Sequence, residues 1–238
     1  MIDPFGFAAG RFSQPGKGDR HPVHPGWPES TPAVMLPPSR VFPRGARVRL
    51  RPLHRRDGDE WRMMRIEDEH ILRPVEPTIP GTWEQAHSTQ AWWNHLMNLR
   101  EAAKAGAVIP LAIEVGGRFA GQVTLGNIQH GIIRDCWIGY WVYSGFSGAG
   151  VATAACGLGT DFALRRVGLH RVTATYLPDN PASGKVLAAN GYREEGFLRR
   201  NLHIDGQWRD HHFVAITSED YRTSCVARLV ADGRITRV

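Results

Sequence analysis

Residues 136–164 read CWIGYWVYSGFSGAGVATAACGLGTDFAL, and this stretch decides the fold class. Its first part, 136–143, is apolar and aromatic, which is the composition of a buried strand. A turn of small residues follows over 144–150, and Ala, Leu, Val and Phe at helical spacing then predict a helix over 151–164. A strand that leads through a glycine-rich turn into a helix offers unpaired backbone N–H groups and a positive helix end to an anion. The pattern predicts an anion-binding turn, although such turns also serve as plain tight connections.

The glycines of this turn do not match two well-known nucleotide-binding patterns. The turn lacks the lysine of G-x-x-x-x-G-K-[ST], which argues against a nucleotide-hydrolysing loop. The spacing of Gly145, Gly148 and Gly150 also differs from G-x-G-x-x-G, and no acidic residue follows at the distance that a ribose hydroxyl requires. The pattern therefore favours a pyrophosphate site of another kind.

The whole chain has the composition of a folded protein with a sizeable core. Of its 238 residues, 42% are hydrophobic and 22% are charged, which suits one domain with extensions. No apolar run has the length of a membrane helix, and the first residues do not form a secretory signal. Three cysteines, Cys136, Cys156 and Cys225, show no C-x-x-C spacing. We therefore expect a cytoplasmic protein with no metal site, no disulfide framework and no membrane partner.

The formal net charge of +6 suggests affinity for polyanions such as CoA phosphates or ribosomal RNA. The densest positive stretch lies between residues 40 and 56 and contains seven arginines. It is interpreted either as the solvated face of a strand or as a docking surface for an anionic partner. Because nearly all basic residues of the chain are arginine, a GC-rich genome would give the same excess without selection for binding.

The order of elements predicts an α+β fold, an α/β sandwich whose mixed, mostly antiparallel sheet has helices on both faces. Residues 1–44 are rich in proline and glycine and are predicted to form an extended or disordered arm. The domain is predicted over 45–218, and 219–238 are predicted to be a C-terminal helix and tail, with Ser218 as the helix cap. Strands are predicted over 46–51, 110–115, 119–125, 135–143, 170–176, 192–197, 198–204 and 208–216, and helices over 58–67, 88–104, 151–164, 182–190 and 219–231. Asp57 is a candidate cap of the helix over 58–67, and the prolines of residues 72–83 predict a loop.

The glycine-rich turn resembles the acetyl-CoA loop of the GNAT family of N-acetyltransferases, whose pattern is [QR]-x-x-G-x-[GA]. Here the pattern falls on residues 147–152, where Gly150 and Ala152 match and Ser147 stands in place of Gln or Arg. The resemblance implies a GNAT fold and acetyl-CoA as cosubstrate, held by the turn and by the end of the preceding strand. The cofactor-binding residues that it implies are Tyr140, Trp141, Val142, Ser147, Gly148, Ala149, Gly150, Val151, Ala152 and Thr153.

A second cluster, DNPASGKVLAANGYREEG over 179–196, resembles the GNAT stretch N-x-x-S-x-x-[VL]-L-x-x-x-G-[FY]-x-x-E-G. The resemblance implies that Asn180 hydrogen-bonds the pantetheine amides and that Lys185 also contacts the cofactor. It further implies that Ser183 lies by the CoA sulfur and protonates the departing thiolate. From the residue types alone, Asn180 and Ser183 could equally cap the short helix that follows.

The run IDGQWRDH over 204–211, with Glu195-Gly196 before it, resembles the RimJ/RimL branch of the family. This branch acetylates the N-terminal α-amine of ribosomal proteins, so the resemblance implies a protein N-terminus as partner and a weak contact with the ribosome. The base of that branch is a glutamate on the penultimate strand, and the equivalent position here is Leu202. The candidates that remain for the base are His203, Asp210 and His211.

Two other functions stay open at this point. The chain could be a GNAT enzyme that acetylates a small amine, such as an antibiotic or a polyamine. It could also be a degenerate acetyl-CoA-binding or ribosome-binding module, since Ser147 departs from the loop pattern and the usual glutamate is missing. Thioester turnover with different amines would separate these functions.

Overall fold

The computed structural model describes residues 26–220 and 223–238, and in them nine strands form one sheet. In chain order the strands are β1 (Val34–Leu36), β2 (Ala46–Pro52), β3 (Val108–Val115), β4 (Arg118–Gln129), β5 (Asp135–Val142), β6 (Arg171–Tyr176), β7 (Arg193–Ile204), β8 (Gln207–Thr217) and β9 (Thr236–Arg237). Their order in space is β7-β8-β6-β5-β4-β3-β2-β1-β9. Every neighbouring pair is antiparallel except β5 and β6, which are parallel.

Helices cover both faces of this sheet. They are α1 (Gly58–Glu67), α2 (Glu69–Leu72), α3 (Trp83–Ala86), α4 (Thr89–Lys104), α5 (Val151–Asp161), α6 (Pro181–Ala189) and α7 (Cys225–Ala231). One hydrophobic core joins α5, α6 and α7 to the sheet, and a second core joins α1 to α4 to its opposite face. Strand β3 is buried along its whole length because its alternate side chains enter the two cores. The predicted α+β sandwich with a mostly antiparallel sheet is confirmed.

Helix α4 shows how local sequence and packing agree. The Ser88 hydroxyl accepts the backbone N–H of Ala91 at 3.2 Å and begins the helix. The buried side chains that follow, Trp92, Leu96, Leu99 and Ala103, are three or four residues apart and form one stripe. This stripe packs into the second core, between the sheet and helices α1 to α4, so the predicted helix over 88–104 is confirmed.

The parallel pair β5 and β6 separates after a short contact, and this fork positions the functional site. Asp135 to Trp137 pair with Arg171 to Thr173, and no pairing continues beyond Trp137. From there β5 stays with β4 as far as Val142, whereas β6 stays with β8 as far as Tyr176. The two strands therefore diverge and open a cleft between them.

The N-terminal segment corrects one prediction. Residues 34–36 were expected to belong to an arm outside the core, but they form β1 between β2 and β9. Val34 and Leu36 are buried in the core beside α5. The sequence did not predict this strand because three residues among prolines are too few to show a periodic pattern. Residues 1–25 of the predicted arm lie outside the described residues. The rest of the division into arm, domain and tail stays a prediction.

Two helix caps also differ from the sequence reading. The last helix was predicted over 219–231 with Ser218 as cap, but it begins at Cys225, where the Ser224 hydroxyl accepts the N–H of Ala227 at 2.8 Å. The Asp161 carboxylate of α5 accepts the N–H of Cys225 at 2.7 Å, a tertiary contact that helps to fix this start. Asp57 does not cap α1, because its carboxylate pairs with buried Arg51 instead.

Candidate active site

The fork between β5 and β6 opens into a cleft that several distant segments line. The end of β5 and the start of α5 form one side, and β6 with the start of α6 forms the other. Side chains of β7, β8 and the segment after α2 close the far end. Polar side chains in the lining are Glu76, Gln122, Thr124, Tyr140, Ser147, Thr175, Tyr176, Asn180, Ser183 and His211.

The glycine-rich turn lies at the mouth of this cleft and begins α5. Gly148 and Gly150 have φ angles of 75° and 83°, a conformation that side chains with a Cβ rarely adopt. A Cβ at Gly148 would meet no atom within 4 Å, so the space beside this backbone is open. The first N–H groups of α5 have no partner within the helix and carry its positive end. Backbone donors with free space beside them fit the pyrophosphate of CoA.

The predicted cofactor residues of the turn contribute in two ways. The side chains of Ser147 and Ala152 line the cleft. Those of Ala149 and Val151 are buried in the core, so only their backbone is available to a ligand. Thr153 is half-buried on α5, and its carbonyl accepts a hydrogen bond from the Asn190 amide at 3.1 Å.

The last residues of β5 supply both a wall and backbone donors. Tyr140, Trp141 and Val142 all line the cleft, and Trp141 is buried in the second core, between the sheet and helices α1 to α4. Alternate backbone N–H groups along a strand point to opposite edges. Because β6 has diverged, the donors of β5 on that edge face the cleft instead of a neighbouring strand.

Ser183 and Asn180 occupy the opposite side of the cleft, at the start of α6. The Ser183 hydroxyl lies 3.2 Å from the Tyr140 hydroxyl, which also donates to the Ser183 carbonyl at 3.3 Å. Burial raises the pKa of Tyr140 well above its usual value of 10, so this phenol keeps its proton. The side-chain oxygen Oδ1 of Asn180 accepts the backbone N–H of Ser183 at 3.3 Å, so Asn180 is the helix cap and the Ser183 side chain is not. Lys185 is exposed on α6 and, unlike Ser183 and Val186, is not among the residues that line the cleft.

The three candidates for the base differ in position. His203 points away from the cleft, because Leu202 and Ile204 on either side of it line the cleft and its own Nδ1 lies 2.9 Å from the Thr78 hydroxyl. The Asp210 carboxylate accepts the backbone N–H of Arg200 at 2.7 Å, which holds the irregular part of β7. Neither residue lies beside Ser183 in the cleft.

His211 is the candidate that the structure brings into the cleft. The side chain is buried, and its Nδ1 donates to the Arg209 carbonyl at 3.1 Å. This contact leaves Nε2 of the neutral ring as a proton acceptor. Burial lowers the pKa of His211 below its usual value of 6.5, so the ring is neutral at physiological pH.

The sequence reading missed one ionisable group of the cleft, the carboxylate of Glu76. Residues 72–83 were predicted to be a loop because of their prolines. In the structure, part of this segment closes the far end of the cleft, and Pro77 forms an isolated bridge with Ile204. The only sequence signal for this end of the cleft is the alternation of residues along β7, which places Leu202 and Ile204 on the same face of that strand.

Other ionisable groups give no sign of a second chemistry. Within residues 26–220 and 223–238, no group of three His, Cys, Asp or Glu side chains could hold a metal ion. The three cysteines are free and buried, and burial raises the pKa of the Cys156 thiol to about 12. In the same ranges, no helix is long and apolar enough to cross a membrane.

The arginine-rich stretch is partly neutralised. Arg49 and Arg51 both pair with Glu114, at 2.6 and 2.8 Å, and Arg51 also pairs with Asp57. Arg51 and Asp57 are buried, so this cluster stabilises the junction of β2, β3 and α1 and is not a docking surface. Arg40, Arg44, Arg47, Arg55 and Arg56 are exposed.

Comparisons with known proteins agree with this geometry. Residues 47–193 match the family model described as acetyltransferase (GNAT) domain. The ribosomal protein uS5-alanine N-acetyltransferase of Escherichia coli K12 is 30% identical over 201 residues, which cover 82% of this chain and 97% of the relative. RimJ of Mycobacterium smegmatis, solved in complex with CoA-disulfide, superposes with a TM-score of 0.86 at 43% identity, covering 91% of this chain and all of the other. The ribosomal-protein-S5-alanine acetyltransferase of Vibrio fischeri gives a TM-score of 0.66 at 26% identity and covers 74% and 96% of the two chains.

These matches confirm the resemblance that the turn and the residues after it predicted. The family model contains the fork, the glycine-rich turn and the start of α6, which are the parts that the cleft requires for acetyl-CoA. The match to RimJ extends beyond this region over most of the chain. Because the family model covers more than half of the sequence, this chain belongs to the GNAT family of acetyltransferases, which use acetyl-CoA as acetyl donor.

Proposed function

We propose that this protein transfers the acetyl group of acetyl-CoA to the N-terminal α-amine of a ribosomal protein. The observation that carries the proposal is the contact of Tyr140 with Ser183 at the fork, next to the turn that contains Gly148 and Gly150. The names of the E. coli and V. fischeri relatives support a ribosomal protein with an N-terminal alanine as acceptor.

His211 serves as the base for the incoming amine. An α-ammonium has a pKa of about 7.7–8.0, compared with about 10.4 for lysine, so a modest base is sufficient. Nε2 of His211 takes the proton, directly or through a water molecule, because Nδ1 is held by the Arg209 carbonyl. The amine nitrogen then forms its bond to the carbonyl carbon of the thioester. As the adduct collapses to the amide, the nitrogen loses its second proton through water, and this proton replaces the one that Tyr140 and Ser183 pass to the sulfur. No covalent bond to the enzyme is needed, which agrees with the buried and protonated cysteines.

The residues at the fork stabilise the charges that this attack creates. Backbone N–H groups of β5 that face the cleft can donate to the thioester oxygen as negative charge develops there. When the carbon–sulfur bond breaks, the Ser183 hydroxyl donates its proton to the sulfur. The Tyr140 hydroxyl, which keeps its proton because of burial, can return one to Ser183 across 3.2 Å.

Asn180 and the turn hold the donor. Because the side-chain oxygen Oδ1 of Asn180 caps α6, the side-chain nitrogen Nδ2 can donate to a pantetheine carbonyl. The turn supplies backbone donors to the pyrophosphate, so Ser147 can stand where the family usually has a longer side chain. Exposed Lys185 would contact only the parts of the cofactor outside the cleft.

A ribosomal acceptor implies two further features. The site of action would be the cytoplasm, where ribosomal proteins are made. A weak contact with ribosomal RNA would use the exposed arginines of the 40–56 stretch, since Arg49 and Arg51 are already paired within the protein.

The proposal is tested by supplying acetyl-CoA with matched acceptors and measuring the released CoA thiol. The acceptors are a short peptide that begins with alanine, the same peptide with a blocked N-terminus and an internal lysine, and spermidine. Turnover of the first alone supports the proposal. Turnover of spermidine alone would replace it with a small-amine enzyme, and no turnover of any amine would favour a binding module. A polyamine fits poorly, because among the described residues that line the cleft only Glu76 is a carboxylate.

A further inference from the structure

The far end of the cleft has a carboxylate that the reaction above does not use. Glu76 follows α2 and lines the cleft, with only 11% of its side chain exposed. Among the cleft-lining residues in the described ranges, it is the only carboxylate, and none of those residues is a lysine or an arginine. A buried charge in a binding cleft needs a partner.

Arg65 is that partner and fixes the orientation of the carboxylate. Its two terminal nitrogens contact the two carboxylate oxygens of Glu76, with one pair, Nη1 and Oε1, 2.7 Å apart. The Arg65 Nε donates to Nε2 of His87 at 3.0 Å, and the other nitrogen of this ring donates to the Trp83 carbonyl at 2.7 Å. Burial and the neighbouring Arg65 lower the pKa of His87 to about 3, so the ring stays neutral and accepts this hydrogen bond.

Aromatic rings also pack against the guanidinium of Arg65. The Arg65 Cζ lies 5.2 Å from the centre of the Trp83 ring and 5.1 Å from that of the Trp141 ring. The Arg65 side chain is only 3% exposed, whereas Glu76 is part of the cleft surface. The ion pair is therefore a fixed dipole whose negative end faces the cleft.

A carboxylate in a bidentate pair with arginine still has unused lone pairs, one on each oxygen. These lone pairs can accept hydrogen bonds from the N–H groups of a cation that enters the cleft. An anion cannot be bound in this way. The apolar residues Ile71, Val75 and Leu202 line the same cleft, and its described lining contains no lysine, arginine or second carboxylate. An acceptor with one positive end and a small apolar side chain matches this surface.

We propose that Glu76 is the residue that binds the α-ammonium of the acceptor before the proton is lost to His211. The inference deepens the proposed function and rests on it. The RimJ/RimL branch has a glutamate on β7 where this chain has Leu202. The proposal accounts for this difference, because the carboxylate missing from β7 is replaced by that of Glu76, which enters the cleft from the segment after α2. Arg65 is a positioning residue that acts through Glu76.

The test measures peptide binding to the enzyme–CoA complex by calorimetry, so that no turnover occurs. Two peptides are compared: one begins with alanine, and the other has a hydroxyl in place of the α-amine. The wild type should prefer the ammonium peptide by at least about tenfold, the scale of one charge-assisted hydrogen bond. In Glu76→Gln this preference should fall to about twofold or less, while affinity for the hydroxyl peptide stays unchanged. Glu69→Gln, an exposed neighbour paired with Arg73, is the matched control and should keep the full preference.

Several outcomes would overturn the inference. Glu76→Gln could weaken both peptides equally, which would assign Glu76 a structural role, or it could keep the wild-type preference. Because Glu76→Gln leaves Arg65 buried without its partner, the double variant Arg65→Met/Glu76→Gln is measured as well and should also lose the preference. Wild-type turnover of the alanine peptide is checked first. Its absence would overturn the proposed function and the inference together, whereas turnover with an unchanged preference in both variants would overturn the inference alone.

Discussion

The hydroxyls of Tyr140 and Ser183 are 3.2 Å apart and join β5 to α6 across the fork of the sheet. The contact crosses the point where the parallel pairing of β5 and β6 has ended. It therefore places a proton donor where a thioester held by the glycine-rich turn would enter the cleft. Because burial raises the pKa of Tyr140, this phenol can act only as a neutral donor or acceptor near neutral pH.

Ser183→Ala should lower kcat by roughly 10²-fold, the usual scale for loss of a general acid. The variant should lower the free energy of unfolding by only about 1 kcal/mol, because Asn180 caps α6 and the Ser183 hydroxyl loses one hydrogen bond, to Tyr140. Steady-state kinetics and denaturant unfolding measure the two effects. Full turnover in Ser183→Ala on a good peptide acceptor would contradict the proposed role, and Tyr140→Phe serves as a second variant that should lower kcat less.

Gly150→Val should block acetyl-CoA binding and leave the fold intact. Gly150 begins α5 at a φ of 83°, where valine is strained and its side chain would shift the backbone donors of the turn. Gly117→Val is the matched control, since Gly117 has a φ of 87° in the β3–β4 hairpin and lies outside the cleft lining. Calorimetric titration with acetyl-CoA should show lost affinity in the first variant only. Equal affinities in the two variants would show that the turn does not hold the cofactor.

The cofactor side of the site could be predicted because its residues are close in sequence. Residues 136–164 contain a strand, a turn and a helix in one continuous pattern, and Asn180 and Ser183 are only three residues apart. Local patterns of this kind depend on backbone conformation and on the periodicity of apolar residues, and both can be inferred directly from the sequence. Hairpin turns such as Asp205-Gly206 are predictable for the same reason.

The acceptor side could not be predicted because tertiary contacts assemble it. Glu76 lines the cleft while paired with Arg65 on α1, and His211 enters it from β8, which pairs with a bulged β7. Leu36 joins the core through strand pairs on both sides of β1, and neither pair is visible in a proline-rich segment. The placement of His203 follows from simple alternation, since Leu202 and Ile204 already occupy the cleft face.

The pH dependence of turnover should identify the base. Since the pKa of His211 lies below 6.5, its ring is neutral above that pH and gains a proton as the pH falls, which removes the acceptor at Nε2. The free acceptor amine titrates near about pH 8. Because the ammonium binds first and gives its proton to neutral His211, log kcat/KM of the wild type should stay level from about pH 8 down to the pKa of His211 and fall with a slope of about one below it. In His211→Gln only the free amine can react, so log kcat/KM should already fall with a slope of about one below about pH 8.

His203→Gln is the control for this profile. The His203 ring contacts Thr78 and Trp208 on the other face of β7, so its loss should leave the lower limb in place. If the lower limb disappears in His203→Gln and persists in His211→Gln, the roles of the two histidines are reversed. If it is present in both variants, the titrating group lies elsewhere.

Deletion of residues 1–40 should lower the melting temperature and reduce acetyl-CoA binding, in contrast to the expectation for an arm outside the core. The deletion removes β1, which pairs with β2 on one side and β9 on the other. Val34 and Leu36 are 1% and 2% exposed, and burial of such a side chain contributes about 1.5–3 kcal/mol to stability. The Leu36 side chain also packs toward Gly150, since a Cβ at that glycine would lie 3.5 Å from Leu36 Cδ2.

A shorter deletion separates this strand from the residues before it. Removing residues 1–25 leaves Gly26, whose Cα lies against Phe162, and Trp27, which packs on the core, so β1 and the wall behind the turn are kept. Thermal unfolding and acetyl-CoA titration of the two truncated proteins should therefore differ, with only the longer deletion destabilising the domain and loosening the turn. If Val34 and Leu36 pack as the structure shows, their loss from the core must cost stability. Equal melting temperatures of the two truncated proteins would therefore show that β1 contributes little. A stable longer deletion that has lost only cofactor affinity would instead place the effect of β1 at Gly150 alone.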